Sequence, residues 1–181
     1  MSLIKNIALL IVSPKMGWEE INLSGYPTHK VLQSGFYPVL ALLAISSFSL
    51  MLYDPTAWTL SKTLMHAIVE FSSYFATYFL TSYLLGSFYP EIVKTANARL
   101  NNFIAYNLIF LVLLEIFNNV LADGFSPIYF LLLYTFVIVY KGLDYINMKD
   151  EEKKTKFVAV ASMLMICLPL VFRWTLEKMI I

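Results

Sequence analysis

The stretch Leu64–Tyr89 constrains this chain more than any other. It is long enough to cross a bilayer, for which a helix needs about 20 mainly apolar residues. Yet it carries a histidine and a carboxylate. His66, Glu70, Ser73, Thr77 and Thr81 recur at helical spacing and share one helix face. A membrane helix with one polar stripe turns it toward other helices or a water-filled cavity. The rest of the chain is therefore expected to supply helices that enclose this one.

Composition agrees. Of 181 residues, 59% are hydrophobic and 14% charged, against about 45–50% and about 25% in soluble domains. A net charge of +1 gives no basic field for nucleic acid. Cys167 is the only cysteine, which excludes an internal disulfide or a cysteine zinc cluster. In its apolar run it reads as a plain thiol that packs as a small hydrophobe.

The expected fold is all-α: a polytopic transmembrane helical bundle of five spans with a short N-terminal interfacial amphipathic helix. Residues 1–35 form the cytoplasmic and interfacial segment. Leu3, Ile7, Leu10 and Ile11 share one helical face beside Lys5 and Asn6, and Ser13-Pro14 breaks that helix. Trp18, Glu19, Glu20 and Ile21 suggest a second short amphipathic turn, and 22–35 reads as loop. Residues 36–181 form the membrane domain, with spans near 36–53, 64–89, 103–121, 127–145 and 157–174. Ala41, Ala44, Ser46 and Ser47 are small residues for close packing in span 1, and a homodimer could form through that face. Ala122–Pro127 reads as a tight turn and 148–156 as a solvated, mixed-charge loop.

Five spans put the termini on opposite sides. Lys5, Lys15, Lys30, Lys94, Arg99, Lys141, Lys149, Lys153, Lys154 and Lys156 then share one side, leaving Lys62, Arg173 and Lys178 of the 13 basic residues on the other. The basic side is cytoplasmic. The N-terminus is expected inside and the C-terminus outside, with Trp58 and Trp174 at the outer interface. The outer side is then a periplasm, an exterior or a lumen.

Chemistry is expected near the outer face. Glu70 lies roughly 10 Å, and Glu115 roughly 5 Å, from their span midpoints toward that side. Asn118 and Asn119 follow Glu115 at i+3 and i+4, and His66 lies one turn above Glu70. His66, Glu70, Glu115, Asn118 and Asn119 are thus candidates for an outward-opening ion or proton site. No lysine or arginine is placed mid-span, so the available counter-charge is a proton or a divalent metal held by His66, Glu70 and Glu115, zinc or manganese before calcium. Hydrogen bonding across helices by protonated acids is the competing reading. His29 reads as a solvated loop residue. Glu19 and Glu20 read as a polar face that could close a cytoplasmic pocket with Lys94 or Arg99. No nucleophile–base–acid set, serine elbow or phosphate-cradling glycine loop is evident, which argues against an enzyme.

The run SPKMGWEEI, followed by a loop and the Tyr37-Pro38 entry into the first of five spans, resembles the Yip family. The sequence-specific part is Pro14-x-x-x-Trp18. That resemblance implies a small five-span integral membrane protein, here a bacterial relative placed in the bacterial inner membrane, whose eukaryotic counterparts interact with Rab-type GTPases. It implies a non-enzymatic protein that organises protein or lipid partners, a membrane or GTPase-type protein among them. The alternative is a small transporter or ion-binding protein that uses the polar pocket of spans 2 and 3.

Overall fold

The computed structural model describes residues 3–121, 128–148 and 150–180. The expected turn at Ala122–Pro127 lies outside the described residues. So does Lys149 of the 148–156 loop. The described residues are helical, with no strand among them.

Two short helices open the chain. α1 (Leu3–Val12) and α2 (Pro14–Ser24) form a hairpin. Pro14 suits the first turn of α2, where its missing N–H is not needed. Gly25 ends α2 at φ 56°, a left-handed conformation that favours glycine. A Cβ on Gly17 would lie 2.5 Å from the Leu10 Cα, so only glycine lets the two helices approach this closely. Residues 28–53 follow as α3 (Thr28–Val31), a π turn (Leu32–Phe36), α4 (Tyr37–Ser46) and α5 (Ser49–Tyr53). Then come α6 (Leu60–Phe88), α7 (Pro90–Leu121), α8 (Ile128–Leu131), α9 (Tyr134–Lys141) and α10 (Glu151–Ile180).

Three helical stretches are long and apolar enough to cross a membrane: Thr28–Tyr53, Pro90–Leu121 and Glu151–Met179. α6 is equally long but carries Lys62, His66 and Glu70. The stretch expected as span 4 is two helices of four and eight residues joined by a turn.

The centre of the bundle is α7, not α6. Every residue from Phe103 to Val112 is buried, and a helix buried on all faces is a core helix. α6 instead leaves Leu64, Ile68, Phe79 and Tyr83 exposed. It turns Thr63, Ala67, Glu70, Ser73, Thr77 and Thr81 inward, as the stripe requires. α10 runs antiparallel against it, with His66 facing Glu177 and Glu70 facing Arg173. Along that contact Ser73 and Thr77 donate to carbonyls four residues back in their own helix. Their hydroxyls are thereby satisfied, and these small side chains let the helices close in.

α1 packs into the bundle through Leu3, Asn6 and Leu10. Asn6, expected beside the apolar face, is fully buried and donates to the Ser24 hydroxyl at 3.2 Å. Trp18, expected on an interfacial turn, is 3% exposed. Its ring stacks between Phe103 and Tyr145, each at 5.2 Å, and its indole N–H donates to the Ile138 carbonyl at 2.9 Å.

Candidate functional site

The carboxylate of Glu70 is the focus of the polar stripe. Four elements deliver its partners. From the break between α4 and α5, Ser47 donates to Oε2 at 2.7 Å. From α7, the Asn119 amide donates to the same oxygen at 2.9 Å. From α10, Arg173 donates to Oε1 at 2.7 Å. His66, one turn back on α6, places Nε2 3.4 Å from Oε1. A carboxylate offers about four lone-pair positions, and all are used here. Glu70 is 0% exposed, so this saturation is what permits a charge at that depth.

The same Arg173 nitrogen, Nη2, donates to Glu115 at 2.7 Å. One guanidinium thus serves two acids, each by one of its two N–H bonds. The expectation that no basic residue lies within reach is corrected at this point. Arg173 was placed at the outer end of a span ending near 174, whereas α10 continues to Ile180. The longer helix draws the guanidinium back to the depth of Glu70. An internal cation replaces the proton or divalent metal that the two acids otherwise demand.

The serines of the α4–α5 break extend the cluster. Asn119 also donates to the Ser46 hydroxyl at 3.1 Å, and Ser49 donates to the Asn119 carbonyl at 2.6 Å. Ser46 and Ser47, read from the sequence as small packing residues, are hydrogen-bonding partners of the site. Their signal was the position of a Ser-Ser pair near the end of an apolar run, at the depth of the acids.

Of the five sequence candidates, His66, Glu70, Glu115 and Asn119 converge. Asn118 is half-buried and takes no part in the cluster's hydrogen bonds. Among the described residues no group of three or more histidine, cysteine or acidic side chains is arranged to hold a metal ion. His66, Glu70 and Glu115 do not form the expected metal set, because Arg173 stands between the two acids. The cluster reaches the protein surface past His66, whose Nδ1 lies 4.0 Å from Glu177. Trp58 meets the imidazole edge-on at 5.1 Å, and Lys62 lies over the Trp58 ring at 4.9 Å. In the loop above, Asp54 accepts from the Thr56 hydroxyl at 2.7 Å and the Ala57 N–H at 2.9 Å. Those bonds hold its carboxyl below the ordinary aspartate value.

The remaining candidates separate. His29 is exposed on α3. Glu19 lines a small cleft with Lys15, Lys141 and Asp144, not with Lys94 or Arg99. Cys167 is exposed on α10.

The arrangement can do two things chemically. It fixes four elements to one another through charge-assisted bonds, and it links a surface carboxylate to a buried one through an imidazole. No protein-family model, no curated protein and no solved structure matches this chain.

Proposed function

We propose that this chain is a small Yip-like integral membrane protein that crosses a bacterial inner membrane five times and holds protein or lipid partners there without catalysing a reaction. The observation that carries the reading is Arg173. The charge that two membrane-depth acids require comes from within the chain. The cluster therefore serves as a tie between helices, with its anionic capacity already committed.

Five crossings are supported by using α7 as a ruler. From Arg99 to Asn119 it rises about 30 Å, the thickness of the hydrocarbon core. α6 covers the same interval: Glu70 bonds Asn119, and Phe157 touches both Tyr89 and Phe103. Residues 131–145 do so as well. Leu131 lines a groove with Leu121, and the Tyr145 hydroxyl accepts from Asn102 at 3.4 Å.

Two measurements test this. With Cys167 replaced by alanine, single cysteines at Thr56 and Lys178 should react with an impermeant reagent from one side, and those at Asn97 and Lys153 from the other. Labelling of Thr56 and Asn97 from the same side would remove the five-span topology. Native mass spectrometry after mild extraction should show a stoichiometric protein or lipid partner. A partner-free protein would count against the holding role.

A second reading, proton or cation handling, is favoured by one contact series. Glu177 is 39% exposed, His66 is 16% exposed and Glu70 is fully buried, so titratable groups descend stepwise from surface to interior. Proton or cation flux in vesicles that is lost in Glu70→Gln, with fold retained, would establish it over the first.

A further inference from the structure

Glu115 and Asn119 turn one face of α7 to the polar cluster. Phe110, Leu114, Phe117 and Leu121 recur at helical spacing on the opposite face. With Ile11 of α1, Leu131 of α8 and Tyr134 of α9 they line a groove of about 480 Å³. Phe110 and Leu114 at its base are buried, and Phe117, Leu121 and Leu131 at its lips are exposed. Tyr134 brings a hydroxyl, which donates to the Ile11 carbonyl at 3.2 Å. The other lining side chains are hydrocarbon.

α1 closes the deep end. Near its start, Leu3 lies against Gly35, where a Cβ would be 2.7 Å from Leu3 and 3.4 Å from Ile109. Near its end, Ile11 lines the groove with Phe110. α1 thus lies across α7 close to Ile109, the middle of the interval from Arg99 to Asn119. From Phe110 to Leu121 α7 rises roughly 16 Å. One leaflet of hydrocarbon is about 15 Å deep, half of the core. The groove is therefore one leaflet long, shut at the bilayer centre and open at the headgroup level.

Its walls offer water no hydrogen bonds. Leaving it empty would forfeit the dispersion contacts of its lining. A helix of that length is about 10 Å across and fills on the order of 1,200 Å³, well above the space present. A single acyl chain fits in both length and width.

We propose that this groove is a binding slot for one acyl chain of an outer-leaflet lipid, with the methyl end on Ile11 and Phe110 and the ester end near Leu121 and Leu131. The choice of leaflet rests on the proposed topology, and the slot supplies the lipid partner that reading calls for. Recognition is of the tail and not of the headgroup.

The test uses the full chain in phosphatidylcholine vesicles that carry a trace of phosphatidylcholine with a photoreactive diazirine on one tail. The diazirine sits either at the methyl end or beside the ester, and crosslinked residues are read by mass spectrometry. The methyl-end probe should label Ile11 and Phe110, and the ester-side probe Leu121 and Leu131. Phe79, exposed on α6, is the reference for bulk lipid. Leu113 also lines the groove. Leu113→Trp should abolish labelling of Phe110 and leave Phe79 unchanged. Leu131→Trp, at the exposed lip, should weaken it severalfold without loading the core, which keeps the test decisive if the first variant misfolds. Phe110 unlabelled in the parent, or labelled equally in both variants, would overturn the slot. Floor labelling by the ester-side probe alone would overturn the assigned leaflet. An unlabelled floor, with Leu131→Cys in a Cys167→Ala chain forming a linked dimer, would give the groove to a second copy and overturn the lipid. Floor labelling with Thr56 and Asn97 reacting from the same side would keep the slot and remove the five-span topology. Reaction from opposite sides with an unlabelled floor would remove the slot and leave the topology standing.

Discussion

The two ends of α7 are held by opposite means. At the end that the proposed topology places outside, Glu115 and Asn119 join Glu70, Arg173 and three serines in a network built on charge-assisted bonds. At the end it places inside, Phe103, Tyr106 and Tyr145 pack on Trp18, and the polar contacts of the stack are neutral ones, the indole bond to Ile138 and the Asn102 bond to the Tyr145 hydroxyl. An aromatic stack is non-directional and tolerates small shifts. A saturated carboxylate does not, because each partner lost leaves a buried group unmet. The outer end is therefore expected to be the more specific and the inner end the more compliant.

Mutation can break that contrast, and the outer end should give the largest effect. Arg173→Met leaves two acids facing each other, one of them fully buried. A loss of about 3–5 kcal/mol is expected in detergent unfolding, since an uncompensated buried charge is the expensive outcome. Adding Glu70→Gln and Glu115→Gln to that variant should restore most of it. A triple variant as unstable as the single one would show that charge is not what the cluster resolves.

Trp18→Ala should come next, at about 3 kcal/mol, from the emptied space in the stack. Its loss should be recovered largely by Trp18→Phe, which no substitution at Arg173 can match; failure of that rescue would make the inner end as specific as the outer. Gly142→Ala sharpens the same point. A Cβ there would lie 2.6 Å from Phe103 and 2.7 Å from Trp18. Overpacking of about 2 kcal/mol is expected, and a neutral result would mean the stack slides to admit a methyl group. Ser47→Ala removes one of four partners of Glu70 and should cost about 1.5 kcal/mol.

The smallest effect lies in the loop above the cluster. The bonds from Thr56 and Ala57 lower the Asp54 carboxyl in the folded state. The stability they add is complete above the ordinary aspartate value and is lost as pH falls through the lower, folded one. Asp54→Asn should therefore be less stable at neutral pH and converge with the parent protein as pH falls below that range. A difference persisting at low pH would point to lost geometry and not to titration.

The class of this molecule was legible in composition and in the apolar runs. The inward face of α6 was legible in the spacing of His66, Glu70, Ser73, Thr77 and Thr81. The decisive partner was not. Arg173 stands beside Trp174, the usual company of an interfacial residue, and only the two further turns of α10 pull it inward. Register was the missing information: an antiparallel pair that matches His66 with Glu177 necessarily matches Glu70 with Arg173, and sequence alone does not say which helices pair. Trp18 was hidden for a related reason. Pro14 and two following glutamates look like a surface turn, while the need for Gly17 and Gly142 beside it appears only when the backbones are in place.

The order of the chain gives the Arg173 contact one more consequence. Membrane helices emerge in sequence, N-terminal first. On the proposed topology Glu70 and Glu115 enter the bilayer long before α10 is made. Until then two acids stand in a low-dielectric setting with no cation to meet them, and the nascent bundle carries a fault that any surveillance of exposed intramembrane charge can detect. Arrival of Arg173 erases the fault. α10 thereby works as a check on assembly of the bundle, and a chain cut short before it would be marked by its own unpaired acids.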